Sequence, residues 1–322
     1  MIDVVKPGLE TSVQDYPGRI GYWAQGFPPS GPMDDWSFRL TNLLVGNLPG
    51  AAALECQFVG PTLRFRDAGV IAIGGADMKP TLDGKPCPMW ESIAVKAGEI
   101  LALSFAVVGA RAYIAVAGGI DTPPWLGSCS TFHKAGVGGI EGHALKAGQI
   151  VPVGNGNGRA GRKLKPEARP SFATGKKWNI EVVRGPNDDW IDQDGHHRFL
   201  SSDWKLSSKS DRTGFRLEGP QWTFTSKATD KAPEHGSEPS NIIDQGYPIG
   251  AINLGGQTPI ILVNDGPSMG GFINPYTVPS AAFWKLAQAR PAEILRFVEQ
   301  SVAQAQALRR KIDALCTESS IL

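Results

Sequence analysis

Glycine and proline divide this chain into short apolar runs, and that spacing constrains the fold more than any other feature of the sequence. The 322 residues include 39 glycines and 25 prolines, spread along the chain and not gathered into one tract. The runs between them are short and rich in β-branched residues, and include 69–75, 99–105, 111–119, 179–185 and 259–265. Short strands separated by frequent turn residues are typical of barrels and sandwiches. The sequence therefore predicts a mainly β fold with a few helices.

Helices are predicted near the two ends of the chain. Segment 33–47 starts with Asp34 and Asp35 ahead of an apolar run, and carboxylates in a first turn stabilise a helix by capping it and by opposing its dipole. Segments 280–289 and 299–316 also have apolar residues at helical spacing. The last of these could pack on the body of the protein or on a partner.

The order of these segments suggests two related halves. The strings "VKAGEILAL" (95–103) and "ARPAEILRF" (289–297) each place a tight turn and a polar residue before a strand. Between the halves, the sequence from 154 to 177 is basic and almost without apolar residues, as in linkers and long surface loops. We therefore predict a β-rich N-terminal subdomain at 1–153, a linker or long loop at 154–177, a β-rich C-terminal subdomain at 178–298 and a C-terminal helix at 299–322.

Charge and cysteine content exclude several classes of function. The 32 basic and 31 acidic side chains leave a formal net charge of +1, so no overall field would attract nucleic acid or an anionic membrane. The four cysteines lie far apart and form no CxxC pair, a pattern that suits a reducing compartment. The start of the sequence is not leader-like and no apolar run reaches membrane-spanning length, so a cytoplasmic location is expected. From the cysteine pattern, no bound metal is expected.

Two segments have features of a functional site. In "GFPPSGPMDD" (26–35), prolines and a Ser-Gly turn stiffen the backbone ahead of two carboxylates, of which one could cap the helix and the other could take part in chemistry. In "NDGPSMGGF" (264–272), Asp265 follows an apolar strand and precedes glycines that expose backbone N–H groups. Such a turn can bind an anion or an oxyanion, or it can be a plain hairpin loop. The polar segment containing His196 and His197 is interpreted as a solvated loop, with a metal role as the alternative.

Several long motifs, in order along nearly the whole chain, resemble the carboxyltransferase module (subdomains A and B) of urea carboxylase. This module is also called allophanate hydrolase subunit 2 and is similar to KipA and to the corresponding subunit of bacterial 5-oxoprolinase. The motifs are "KPGLETSVQDYPGRIGYWAQGFPPSGPMDDWSFRLTNLLVGN", "ALECQFVGPTLRF", "AVAGGIDTPPWLGS", "SDRTGFRLEGP", "PSNIIDQGYPIGAINLGG" and "ILVNDGPSMGGF". The strings "SGPMD", "RTGFRLEGP" and "DGPSMGGF" are closer to the urea carboxylase branch than to the 5-oxoprolinase branch.

The resemblance implies β-rich subdomains that include a cyclophilin-like barrel, and half of a biotin-dependent carboxyltransferase. The enzyme would move a carboxyl group from N-carboxybiotin to urea or to a related amide or amidine nitrogen. A KipI-like chain, equivalent to allophanate hydrolase subunit 1, would form the other half, while a biotin carrier and an ATP-using biotin carboxylase would be separate. No ATP site or biotinyl-lysine motif can be identified in this sequence. The alternatives are a 5-oxoprolinase or allophanate hydrolase subunit, or a KipA-like regulatory binding protein without turnover.

On this interpretation, Asp34 binds the substrate amide or accepts its proton, while Asp35 caps the helix. Asp265 orients the substrate, because a positioned carboxylate suits both tasks. Arg212 could hold the carboxyl group. The remaining expected site residues shape the pocket: Ser30, Gly31, Met33, Ser240, Asn241, Asn264, Gly270 and Gly271.

Three positions depart from the family pattern. Cys129 lies in "GSCSTF", where the family pattern has an arginine ("GSRSTF"), and His143 lies in "GGIEGHAL", where the pattern "GGxxGRxL" has an arginine. Glu238 replaces a histidine before "PSN". Two potential cations are lost and a carboxylate is gained, which fits either a more cationic substrate or drift in structural loops. Cys129 is expected to be a structural thiol rather than a nucleophile, since no paired histidine is evident.

Overall fold

The computed structural model describes residues 1–172 and 175–322. The described chain forms two compact units. The first contains residues Met1–Tyr22, Pro29–Phe172 and Lys311–Leu322. The second contains Trp23–Pro28 and residues 175–310. Residues 154–172 of the predicted linker are part of the first unit, where Leu164 and Ala168 are buried. Ala173 and Thr174, also in the predicted linker, lie outside the described residues.

The first unit contains two antiparallel sheets and one helix of its own, α1 (Asp35–Leu44). Its strands are β1 (Ile2–Lys6), β2 (Glu10–Gln14), β3 (Ala53–Gln57), β4 (Thr62–Phe65), β5 (Gly69–Asp77), β6 (Thr81–Leu82), β7 (Lys85–Pro86), β8 (Ser92–Val95), β9 (Ile100–Ala102), β10 (Val108–Val116) and β11 (Ile150–Val151). One sheet has the order β11-β1-β4-β9-β6-β7, and the other has the order β2-β3-β10-β5-β8.

Alternating side chains on β10 explain how the first unit is layered. Ile114 belongs to a buried cluster to which both sheets contribute, with Leu63 and Leu101 from one sheet and Leu54 from the other. Its neighbour Tyr113 points to the opposite face of the strand and meets Phe38 of α1 edge-on, with 5.7 Å between the ring centroids. The two sheets therefore share one hydrophobic core, and α1 covers the far face of the second sheet.

The second unit is built around a closed barrel with the strand order β12-β19-β16-β17-β14-β13-β20. Its strands are β12 (Lys177–Arg184), β13 (Trp204–Leu206), β14 (Gly214–Glu218), β15 (Asn241–Gly246), β16 (Ala251–Gly255), β17 (Thr258–Leu262), β18 (Met269–Phe272), β19 (Tyr276–Thr277) and β20 (Ile294–Glu299). Strands β15 and β18 form a separate two-stranded sheet, which we call the ribbon. The helices are α2 (Gln193–Ser201), α3 (Ser226–Thr229), α4 (Phe283–Gln288) and α5 (Val302–Leu315), the last of which ends within the first unit. The predicted mainly β fold with a barrel is confirmed.

The C-terminal residues are held in the first unit by ion pairs and backbone pairing. Arg39 of α1 contacts Asp313 at 2.9 Å, and the N–H of Leu322 donates to the carbonyl of Lys163 at 2.7 Å. Ile312, on the same segment, is buried. The end of the chain is therefore part of the first unit's packing.

Within the described residues, no helix is both long and apolar enough to cross a membrane.

Residues 193–201 form the helix α2, so the interpretation of this segment as a solvated loop is wrong. The carboxylate of Asp192 accepts a hydrogen bond from the N–H of Gly195 at 2.8 Å and caps the first turn. One turn later, Phe199 stacks against Tyr276 and Phe297, with centroid distances of 4.5 and 4.4 Å. Capping and aromatic burial together outweigh the polar composition of the segment.

His196 of α2 faces the same aromatic core. Its Nε2 lies 2.9 Å from the carbonyl oxygen of Asp188, and its Nδ1 lies 2.8 Å from the hydroxyl of Tyr276. Because a carbonyl only accepts, Nε2 carries the proton and Nδ1 accepts from the tyrosine. Burial, with a contribution from the positive charge of Arg184, lowers the pKa of His196 below its usual 6.5. The neutral ring is thus the form that fits the fold.

We predict that acid destabilises this unit through His196. A depressed folded-state pKa means that the unfolded chain binds the proton more readily, so the stability is fully present above about pH 6.5 and is lost as the pH falls below it. Between about pH 8 and about pH 5, the wild type should lose free energy of unfolding relative to His196→Gln, which does not titrate. Denaturant titrations across this range measure the difference. His197→Gln, at the exposed neighbour, should follow the wild type; an identical response in all three proteins would contradict the prediction.

Candidate functional site

The segment before α1 shows which carboxylate caps the helix. The carboxylate of Asp34 accepts from the N–H of Ser37 at 2.9 Å and from its hydroxyl at 2.6 Å, and Asp34 is fully buried. Asp35 instead lies in the first turn and pairs with Arg39, one turn onward, at 3.1 Å. The predicted division, with Asp35 as the cap, is therefore wrong. Asp34 occupies the N-cap position, from which its side chain accepts a hydrogen bond from the N–H of the third helical residue.

Backbone contacts explain the prolines and the Ser-Gly turn. The carbonyl of Pro29 accepts from the N–H of Arg19 at 2.7 Å. Ser30 and Gly31 both have positive φ, at 56° and 80°, and a Cβ on Gly31 would lie 3.2 Å from the carbonyl oxygen of Asp15. The main chain here runs directly against another segment, so the loop is fixed by backbone packing.

A buried pair that the sequence analysis missed holds the end of this loop. The carboxylate of Glu55 on β3 accepts from the N–H of Met33 at 2.8 Å and from the hydroxyl of Tyr113 at 2.9 Å. The Tyr113 oxygen in turn accepts from the N–H of Asp34 at 2.8 Å. Burial, together with the charge of Glu55, raises the pKa of Tyr113 well above its usual value, so the phenol keeps the proton that it donates.

A second unpredicted anchor lies in the first unit at Asp15. Its carboxylate accepts from the hydroxyls of Ser128 and Ser130 and from the N–H of Cys129. The Cys129 thiol, which is half-buried, donates to the carbonyl of Thr122 at 3.3 Å, and burial raises the pKa of that thiol. A protonated, hydrogen-bonded thiol is a poor nucleophile, in agreement with the structural role expected of Cys129.

The second unit brings Arg212 and Asp265 together as a buried ion pair. Nε of Arg212 donates to Oδ2 of Asp265 at 3.0 Å, and the N–H of Asp265 donates to the carbonyl of Arg212 at 2.8 Å. Both side chains are about 5% exposed. The other carboxylate oxygen, Oδ1, is buried and has no hydrogen-bond partner among the described residues. Asn264, just before it, is half-buried. Among the residues that the structure describes, Oδ1 is thus an acceptor without a donor.

The ribbon carries four more of the predicted residues. Ser240, immediately before β15, is fully buried. Its hydroxyl accepts a hydrogen bond from the N–H of Gly256 at 3.0 Å, and its carbonyl accepts one from the N–H of Ile273 at 2.9 Å. Asn241 pairs with Phe272 across the ribbon, close to Gly270 and Gly271 on β18. Both glycines are half-buried. The structure therefore groups Ser240, Asn241 and the two glycines on one element.

Lys231 anchors the start of the ribbon and was not predicted. Its ammonium donates to the carbonyl of Glu238 and, at 2.7 Å, to that of Asn241. The same group lies 5.6 Å from the ring centroid of Trp190, a cation–π distance. The side chain of Glu238 is exposed. A lysine in a polar loop gives no sequence signal for this role.

The predicted site residues thus form two groups. Ser30, Gly31, Met33 and Asp34 belong to the first unit, and the second unit holds Arg212, Ser240, Asn241, Asn264, Asp265, Gly270 and Gly271. In the first group the backbone is fixed and the carboxylate caps a helix. In the second, a buried carboxylate oxygen is ready to accept a hydrogen bond. Among the described residues, no three His, Cys, Asp or Glu side chains are grouped to hold a metal ion.

Comparison with known proteins identifies the family. Residues 25–299 match the carboxyltransferase domain, subdomain A and B. The chain is 39% identical over 319 residues to the urea amidolyase of Saccharomyces cerevisiae, covering 97% of this chain and 17% of that protein. It is 33% identical over 312 residues to a 5-oxoprolinase subunit of Escherichia coli, covering 96% of this chain and 94% of that protein.

The fold agrees with these relatives. The crystal structure of the Kluyveromyces lactis urea carboxylase is similar with a TM-score of 0.90 at 38% identity, over 100% of this chain and 30% of that chain. The present chain therefore spans less than a third of the urea-processing proteins that it matches. From the family match, the sequence identities and the shared fold, this protein belongs to the carboxyltransferase domain family, subdomains A and B, of urea carboxylase-like proteins.

Proposed function

We propose that this chain is one half of a biotin-dependent carboxyltransferase that carboxylates the nitrogen of urea or of a related amide or amidine. The observation that carries the proposal is the buried Oδ1 of Asp265, which has no hydrogen-bond partner among the described residues. A buried acceptor left without a donor costs about 1–3 kcal/mol. Amides and amidines present N–H groups to such an acceptor, so a bound substrate would satisfy it.

The chain's own residues would bind and orient the acceptor substrate. An amide nitrogen is a poor nucleophile, and it must lose a proton as the new carbon–nitrogen bond forms. Asp265 would accept a hydrogen bond from that nitrogen and align it for attack. Arg212 contacts Oδ2 of the same carboxylate, so its role here is to orient the side chain of Asp265, in place of the expected direct contact with the carboxyl group.

N-carboxybiotin, delivered on a separate carrier, would supply the carboxyl group. The ribbon fits this group because Gly270 and Gly271 are half-buried and present backbone with no side chain. Their N–H groups would hold the ureido oxygen of the carried biotin, as backbone donors hold other oxyanions. Ser240, Asn241 and Asn264 would shape the same side of the site.

The partners follow from the part of the machinery that this chain does not span. It covers 17% of the Saccharomyces cerevisiae urea amidolyase, so we propose that a KipI-like chain, a biotin carrier and a biotin carboxylase act with it, in the cytoplasm.

The alternative is a 5-oxoprolinase-type subunit, favoured by the match to 94% of the length of the Escherichia coli 5-oxoprolinase subunit. 5-Oxoproline is itself a cyclic amide, so the same acceptor oxygen would serve. An allophanate hydrolase subunit or a KipA-like regulator without turnover would differ in giving no carboxyl transfer.

The test is carboxyl transfer by the assembled chains, with urea, simple amides, amidines and 5-oxoproline offered in turn. We expect Asp265→Asn to lower kcat for the preferred substrate by roughly a hundredfold, as misalignment of a reacting group does. Because this variant breaks the buried ion pair with Arg212, we pair it with a second protein, Arg212→Met with Asp265→Asn, in which both charges of the pair are removed. Full transfer by either protein would overturn the assignment.

A matched control comes from another ion pair of the second unit. Lys285 contacts Glu181 at 2.6 Å, and both side chains are less than a fifth exposed. Glu181→Gln breaks this pair without touching the proposed site, so it should lower stability while leaving kcat near the wild-type value. If Glu181→Gln and Asp265→Asn reduce transfer equally, the loss reflects stability and not chemistry.

Two roles of Asp34 can be separated by substitution: capping of α1, which the structure shows, and the predicted binding or deprotonation of the substrate amide. Asp34→Ser keeps an N-cap oxygen but removes the carboxylate, and Asp34→Ala removes both. If Asp34 only caps α1, Asp34→Ala should lower the free energy of unfolding by about 1 kcal/mol, and Asp34→Ser should keep both stability and transfer. Thermal unfolding and the transfer assay measure the two effects. Loss of transfer in a stable Asp34→Ser protein would instead restore the predicted role in proton acceptance.

A further inference from the structure

Side chains hold the main chain of Phe272, at the end of β18, on both sides. The phenol oxygen of Tyr247 accepts a hydrogen bond from the N–H of Phe272 at 2.6 Å. The side-chain amide of Gln245 donates to the carbonyl of Phe272 at 3.0 Å. Both backbone groups are therefore fixed by residues at the end of the facing strand, β15, and directly after it.

These two side chains are themselves anchored to the barrel. Tyr247 is 4% exposed and packs against Ala251, Leu262 and Ile260 on β16 and β17. Burial raises the pKa of its phenol, so the hydroxyl stays protonated. The two N–H bonds of the Gln245 amide are both used, because the same nitrogen also donates to Oδ1 of Asn187 at 2.7 Å.

Asn187 extends the connection beyond the ribbon. Its Oδ1 accepts from the N–H of Asn274 at 2.9 Å, in the segment that leads from β18 to β19. A single amide oxygen thus joins the ribbon to the segment that leads into the barrel. The strand end at Phe272 is consequently tied to the barrel through Tyr247 on one side and through Gln245 and Asn187 on the other.

The ribbon needs these ties because its own pairing is weak. It has only two strands, and its register is interrupted between Asn241 and Gln245. Two-stranded sheets are marginally stable by themselves. The aromatic ring also limits the strand sterically, since a Cβ on Gly270 would lie 2.9 Å from the ring of Tyr247.

We propose that Tyr247 and Gln245 are positioning residues that hold the Gly270–Phe272 backbone in the geometry required for carboxyl transfer. The inference rests on the proposed function, in which that backbone contacts the carboxyl donor. Neither side chain is assigned a contact with substrate. Each acts through Phe272 and so through the two glycines before it.

Amide hydrogen exchange tests the structural part without any assay of activity. In Tyr247→Phe, the Phe272 N–H loses its acceptor, and its exchange rate should rise roughly tenfold, the equivalent of one hydrogen bond. The amide of Ile252 on β16 should exchange as in the wild type, showing that the barrel is intact. Gln245→Met, which keeps the volume but loses both donors, should also loosen Phe272. Unchanged exchange at Phe272 in both variants would overturn the proposal.

Kinetics of the assembled chains test the functional part. Tyr247→Phe should lower kcat for carboxyl transfer at least several-fold while leaving KM for the amide substrate nearly unchanged, since Asp265 is untouched. Tyr22→Phe, which removes a phenol hydroxyl in the first unit, should match the wild type. Faster exchange with an unchanged kcat would remove the positioning role. A wild-type assembly that transfers no carboxyl group would refute the proposed function, while the exchange result would still report on the tie itself.

Discussion

The buried carboxylate of Glu55 determines the geometry of the loop before α1. An unpaired charge in this position would cost several kcal/mol. The fold places the buried Arg111 3.7 Å from this carboxylate and adds two donors, the N–H of Met33 and the hydroxyl of Tyr113. Tyr113 then binds the N–H of Asp34, and Asp34 caps α1. One charge on a central strand thereby sets the direction in which the helix starts. The prolines reduce the freedom of the loop, and the carboxylate decides where its end is held.

The second unit solves a related problem with different side chains. The ribbon has too few strands to satisfy its own backbone, so Lys231, Gln245 and Tyr247 supply the missing donors and acceptors. Each of the three is itself held by a further contact, the lysine with an indole ring, the glutamine with a side-chain amide and the tyrosine with the barrel wall. Charged or polar groups held this way have little freedom to relax, which is the condition for preorganised binding of a developing charge. The ribbon is therefore fixed by side chains more than by strand pairing.

How much of this could be predicted depended on whether the signal was local. Glycine and proline spacing predicted the mainly β fold, and apolar periodicity found α1 and α5. The segment around His196 was misread because its polar composition suggested a loop, whereas a cap at Asp192 and the distant ring of Tyr276 make it a helix. The division between Asp34 and Asp35 failed for a similar reason: both residues suit a first turn, and only the position of Ser37 relative to the loop distinguishes them. Glu55 and Lys231 had no local signal, because their partners lie elsewhere in the chain or on the backbone. The roles assigned to Asp265 and the glycines stay predictions.

The three departures from the family pattern fall where the backbone is held without help from the changed side chain. At Cys129, the carboxylate of Asp15 binds the backbone N–H and the two flanking serines, so another side chain can occupy the position without loss of the loop. At Glu238, Lys231 donates to the backbone carbonyl, and the side chain of Glu238 is exposed, as is that of His143. Substitution at these positions therefore changes surface charge and local contacts while leaving the framework intact.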